Sequence, residues 1–115
     1  LRDALNAAVE REVVVTLLVE QHEDNRQFSS EAVPFPGLDA IRLHWPKAAR
    51  PRGAALHAKI IVVDDRVALV GSANLTGYAM EANLECGILI RGGPHPRAIR
   101  DHITGLTVAG HLRRL

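Results

Sequence analysis

Residues 1–11 place apolar side chains at Leu1, Ala4, Leu5 and Ala8, the repeat of one helical face. The next run, EVVVTLLVE at residues 12–20, is almost wholly apolar and rich in β-branched side chains. It predicts a strand buried on both faces, as in a parallel or mixed sheet. Residues 21–38 are polar and carry Pro34, Pro36 and Gly37, the marks of a loop. AIRLHW, residues 40–45, predicts a short strand, and PKAARPRG, residues 46–53, a basic loop. Residues 54–63 and 67–71 read as the two arms of a hairpin, and NLECGILI, 83–90, as a further strand. After the breaker GGPHP, residues 97–115 predict a terminal helix, weakened by Gly105 and Gly110. A helix followed by strands, with a β-rich centre and a closing helix, predicts an α/β fold with a mixed sheet flanked by helices. No internal repeat is present, and residues 1–115 are expected to form one domain.

The hairpin is where the pattern turns chemical. Alternation along a strand puts His57, Lys59, Ile61 and Val63 on one face. An imidazole and an ammonium then project side by side, about 6–7 Å apart. With the turn at Asp64-Asp65, Val63 lies opposite Arg66 and, by the same count, His57 lies opposite Ser72. His57, Lys59, Ser72 and Asn74 therefore converge at the open end of the hairpin. They offer a nucleophile or base, a cation, a hydroxyl and an amide. That set suits a phosphate, whose charge the lysine neutralises and whose oxygens accept from the other two. Glu85, between Leu84 and Cys86, needs a partner wherever it is buried. The imidazole N–H of His57 is the expected one, because such a bond fixes the tautomer and frees the other nitrogen to attack.

Composition narrows the setting. The net charge is +1, so no global field points to nucleic acid or to a membrane. Of fourteen basic residues only Lys47 and Lys59 are lysine, which makes a lysine inside an apolar strand unusual for this chain. One cysteine, Cys86, permits no intrachain disulfide and fits a reducing, cytoplasmic setting. No apolar run approaches the roughly 20 residues that span a bilayer. The chain starts LRDALNAAVE, without an initiator Met or a signal-like apolar stretch, and reads as a piece of something longer.

These spacings resemble the phospholipase D superfamily signature, H-x-K-x4-D-x6-G-S-x-N, met here by His57, Lys59, Asp64, Gly71, Ser72 and Asn74. The acidic residue that the family places shortly downstream matches Glu85. Residues 1–20 also look like the helix and strand that precede the motif, with the family's first strand apparently missing. A looser likeness, through the arginine-rich composition and the LLVE and NLEC strands, is to the phospholipase-D-like protein of the DISARM antiphage system.

The resemblance implies a fold and a mechanism. One histidine attacks the phosphodiester phosphorus to form a phosphohistidine. A second, from another copy of the motif, protonates the leaving group, and water releases the product without metal or cofactor. Carried over, His57 is the nucleophile or its acid–base partner, Lys59, Ser72 and Asn74 bind phosphate, and Glu85 orients His57. Asp64 and Gly71 are expected to be structural, since Asp64 lies about 23 Å along the strand from His57. Only one motif is present, so the resemblance implies a homodimer or an upstream half-domain to complete the site. The substrate class stays open between nucleic acid, DNA in particular, and lipid. Lys47, Arg50 and Arg52, just before the motif, favour a nuclease by offering contacts to a phosphate backbone. A phospholipid phosphodiesterase or phosphatidyltransferase, and a module that grips phosphate without cutting, are the alternatives.

Overall fold

The structure is a computed structural model and describes residues 1–24, 34–74 and 83–115. It divides into two compact units. The first comprises Leu1–Leu56 with Thr107–Leu115, the second His57–Leu106.

In the first unit, α1 (Arg2–Glu10) forms on the expected helical spacing, with Asp3 in its first turn favourably placed toward the helix dipole. It ends where Glu12 enters the left-handed region at φ 63° and the Val13 amide turns back to the Ala8 carbonyl at 3.0 Å. Strand β1 (Thr16–Val19) runs parallel to β2 (Ile41–His44), with Thr16 opposite Ile41 and Val19 opposite His44. The run at residues 12–20 is thus shorter as a strand than its apolar content suggests, and it is not buried on both faces. Val14 is 77% exposed, and among the described residues β1 pairs on one side alone. A one-turn 3-10 helix (Lys47–Ala49) occupies the basic loop.

The terminal helix departs from expectation at both ends. Helix α2 is His95–Val108, begun by a buried Pro96 whose missing N–H costs nothing in a first turn. It stops before Gly110, which takes φ 80° and donates to the Thr107 carbonyl at 3.1 Å. The chain then forms β6 (Arg113–Arg114), antiparallel to β2. The first unit therefore holds a three-stranded mixed sheet in the order β1-β2-β6, around buried Val19, Leu38, Leu43 and Leu112.

The second unit is an antiparallel meander of β3 (Ile60–Val63), β4 (Val67–Gly71) and β5 (Gly87–Arg91). The α/β class holds, and the strands of the described residues form two three-stranded ladders where one sheet was expected. One face of the meander, with the buried Ala68, meets α2. Ile60, Ile90, Ile99 and Ile103 line an apolar groove there. The other face carries Val63, Leu69 and Leu89, which are 49%, 41% and 51% exposed. Among the described residues no helix is long and apolar enough to cross a membrane.

Candidate active site

The hairpin turn sits where the sequence places it, but its register is one residue off. Asp64 and Asp65 both take left-handed backbone, at φ 51° and 57°, and Arg66 N–H closes the turn on the Val63 carbonyl at 3.0 Å. Aspartate tolerates this conformation better than most side chains. The bidentate ion pair from Arg100 then holds Asp65, at 2.8 and 2.6 Å. That guanidinium keeps the Asp65 carboxyl below the usual carboxylate range. The Arg66 carbonyl, however, accepts from Gly92 N–H at 2.7 Å, so Arg66 is drawn toward β5. Val67, not Arg66, pairs with Val63. Lys59 is consequently level with Gly71, whose amide donates to the Lys59 carbonyl at 3.0 Å. Continuing the count puts His57 level with Ala73 and not with Ser72.

The strand of residues 54–63 is also shorter than expected. Only Ile60–Val63 joins the ladder, and His57 and Lys59 lie on the segment leading into it. The sequence-based grouping at one end survives both corrections. β3 begins, β4 ends and β5 begins at the same end of the meander, and His57, Lys59, Ser72, Asn74 and Glu85 are all carried there. Asp64 is at the opposite end, in the turn. His57, Ser72 and Asn74 are exposed, while Lys59 and Glu85 are half-buried. The Lys59 ammonium donates to the His57 carbonyl at 2.7 Å and so ties down the peptide of the histidine.

Ser72 is the hub between β4 and β5. Its amide donates to the Cys86 carbonyl at 3.1 Å, and its Oγ accepts from the Cys86 amide at 3.2 Å. Its hydroxyl donates to Glu85 Oε2 at 2.5 Å, and Asn83 Nδ2 donates to Glu85 Oε1 at 3.2 Å. Among the described residues Glu85 is therefore held by Ser72 and Asn83, where the sequence suggested the His57 ring. The reason is register, because the pairing that sets Gly71 opposite Gly87 brings Ser72 beside residues 85 and 86. Both glycines suit that closeness. A Cβ on Gly71 would lie 3.3 Å from the Cys86 carbonyl oxygen, and one on Gly87 3.1 Å from that of Val70. This gives the motif glycine its physical reason and adds Gly87, which the sequence reading passed over.

The basic loop divides. Lys47 and Arg52 are exposed, but Arg50 is withdrawn from any backbone contact. Its guanidinium, 2% exposed, makes a bidentate pair with Glu20 at 2.9 and 3.1 Å, bonds the Trp45 carbonyl and lies 5.0 Å from the indole centroid. Glu20 Oε2 also accepts from the Leu56 amide at 2.9 Å. Sequence reasoning missed this cluster, although a carboxylate closing an apolar strand was a signal for a buried partner. A second pair in the same unit joins His44 Nδ1 to Asp24 Oδ2 at 2.7 Å, and Asp24 Oδ1 accepts from the Lys47 amide at 2.8 Å. Burial pushes the Asp24 carboxyl up, but the bonds from His44 and Lys47 outweigh it and hold it below the usual carboxylate range. No group of three or more His, Cys, Asp or Glu side chains suited to a metal ion is present among the described residues.

Residues 1–105 match the family described as Cardiolipin synthase, PLD-like domain. Cardiolipin synthase A of Pseudomonas putida (strain W619) is 34% identical over 86 residues, which is 75% of this chain and 18% of that protein. Cardiolipin synthase B of Escherichia coli (strain K12) is 34% identical over 58 residues, 50% of this chain and 14% of that protein. The chain thus spans under a fifth of the length of these curated relatives. Among solved structures, the phospholipase D family member Nuc from Salmonella typhimurium superposes with a TM-score of 0.73 over 99% of this chain and 72% of that one, at 22% identity.

Proposed function

Because the chain belongs to the phospholipase-D-like domain family of the cardiolipin synthases, a branch of the phospholipase D superfamily, we propose that it is one catalytic half of a phosphodiesterase. The observation that carries the reading is the gathering of His57, Lys59, Ser72, Asn74 and Glu85 at one end of one small sheet. His57 attacks phosphorus through a ring nitrogen, and the bond to the leaving oxygen breaks. Water then cleaves the phosphohistidine and restores the imidazole. Lys59 offsets the phosphate charge, and Asn74 donates to a phosphate oxygen. Glu85 carries a charge that favours the imidazolium or orients the ring. One chain supplies one motif, so the acid for the leaving oxygen comes from a second copy across a two-fold axis, or from an upstream half.

The preferred substrate is nucleic acid, DNA first, gripped by the exposed Lys47 and Arg52, with antiphage defence as the setting suggested by composition. A lipid substrate is the second reading. The cardiolipin synthase relatives favour it, as do the exposed apolar side chains of the meander. The test is hydrolysis of a generic phosphodiester, of single- and double-stranded DNA and of phosphatidylglycerol vesicles, each with chelator present. His57→Ala is expected to lower the rate by about 10³-fold or more while the fold is kept. A near-parent rate in that variant, or activity that vanishes with EDTA and returns with Mg²⁺, would overturn the mechanism. Cleavage of vesicles without cleavage of DNA selects the second reading.

A further inference from the structure

A glutamate's last torsion is soft, so a single hydrogen bond leaves the plane of its carboxylate free to turn. In Glu85 both oxygens are taken. The Ser72 hydroxyl donates to Oε2 at 2.5 Å, and Asn83 Nδ2 donates to Oε1 at 3.2 Å. Leu84, between Asn83 and Glu85, is fully exposed, so burial of its side chain holds nothing here and the polar contacts fix the segment. Ser72, Asn83, Glu85 and His57 all belong to the second unit, His57–Leu106.

A hydroxyl has one proton to give and lone pairs with which to accept. Ser72 Oγ accepts from the Cys86 amide at 3.2 Å. Its proton has two acceptors in reach, Glu85 Oε2 at 2.5 Å and the Cys86 carbonyl at 3.3 Å, and both belong to the protein. The shorter contact has the length of a hydroxyl–carboxylate bond. No Ser72 proton is left for a phosphate oxygen, whereas Asn74 is exposed at the same end with a carboxamide to offer. We propose that Asn83 and Ser72 are positioning residues, a two-point cradle that sets the plane of the Glu85 carboxylate, and that Ser72 does not bind phosphate. Their role rests on the phosphodiesterase reading, in which Glu85 serves His57. A small misplacement of such a group is costly in rate, so the cradle has leverage without touching substrate.

Kinetics of the protein on a generic phosphodiester, with inorganic phosphate as competing inhibitor, separate positioning from phosphate binding. Asn83 is exposed and lies outside the β5 ladder, so Asn83→Ala is expected to fold. Asn83→Ala and Ser72→Ala are each expected to lower kcat by about tenfold, with KM and phosphate inhibition held within about threefold. Ser72→Thr keeps the hydroxyl and should restore most of the loss. Asn74→Ala should instead weaken phosphate inhibition by about tenfold. In a Glu85→Gln background Asn83→Ala should lower kcat no further, because the carboxylate it sets is gone. Four results would each overturn the proposal: parent kcat in Asn83→Ala, an undiminished loss in the Glu85→Gln background, a Ser72→Thr variant no better than Ser72→Ala, or a Ser72→Ala variant that weakens phosphate as much as Asn74→Ala does. Should the parent cleave no phosphodiester, that reading fails separately, and the carbon signal of the Glu85 carboxyl decides the cradle. Asn83→Ala and Ser72→Ala should each shift it, and an unmoved signal in either variant would sink the cradle.

Discussion

Two glutamates close to the motif are held in opposite ways. The Glu20 side chain is 8% exposed, and a guanidinium offsets its charge. Glu85 is half-buried and, among the described residues, accepts from a hydroxyl and a carboxamide, both neutral. A carboxylate matched by arginine has its field spent inside the protein. One steadied by neutral donors is bonded to no countercharge of that kind. Two glutamates that each adjoin an apolar strand thus differ in use, and their donors tell them apart.

The sharpest way to break this contrast is to remove each carboxylate singly. Glu20→Ala leaves Arg50 buried without its partner and is expected to cost about 3–5 kcal/mol, read from denaturant midpoints. Glu85→Gln keeps the shape and one acceptor oxygen for Ser72, and Asn83 can meet the new NH2 by turning its carboxamide. It should change stability by less than about 1 kcal/mol while lowering turnover by about 10²-fold or more. Equal stability losses in the two would dissolve the distinction. Next in size is Gly87→Ala, whose new methyl must push the Val70 carbonyl from 3.1 Å and disturb the Ser72–Glu85 contact. A loss of about 1–3 kcal/mol is expected, checked by thermal melting.

The smallest effect sharpens the comparison with a third carboxylate. Asp24 has a depressed folded pKa, so its contribution is complete above the ordinary aspartate value and fades as pH falls through the lowered one. Melting temperatures of the parent and Asp24→Asn should differ by a few degrees near pH 6 and converge as pH falls through the lowered Asp24 value. A constant gap across that range would contradict the assigned ion pair.

Much of this was legible in the chain itself. His57, Lys59, Ser72, Asn74 and Glu85 could be gathered by period-two spacing and one turn, because both are local rules. What the sequence hid was set by contacts from afar. The carbonyl of Arg66 is taken by Gly92, across the sheet, and that single bond shifts the hairpin register. Arg50 reads as a loop cation until Glu20, thirty positions earlier, claims it. The closing residues 113–114 form a strand only because β2 offers an edge. Local spacing predicts which side chains travel together, and distant partners decide which of them are already occupied.

The open face of the meander has a calorimetric consequence. The heat capacity of unfolding tracks apolar surface newly wetted when the chain opens. Val63, Leu69 and Leu89, between 41% and 51% exposed, are already partly wet in the folded chain. They add little to that increment, so the second unit should melt over a broad range with a shallow stability curve. Anything that covers those side chains will announce itself as a negative heat-capacity change on binding, whatever it contributes to affinity.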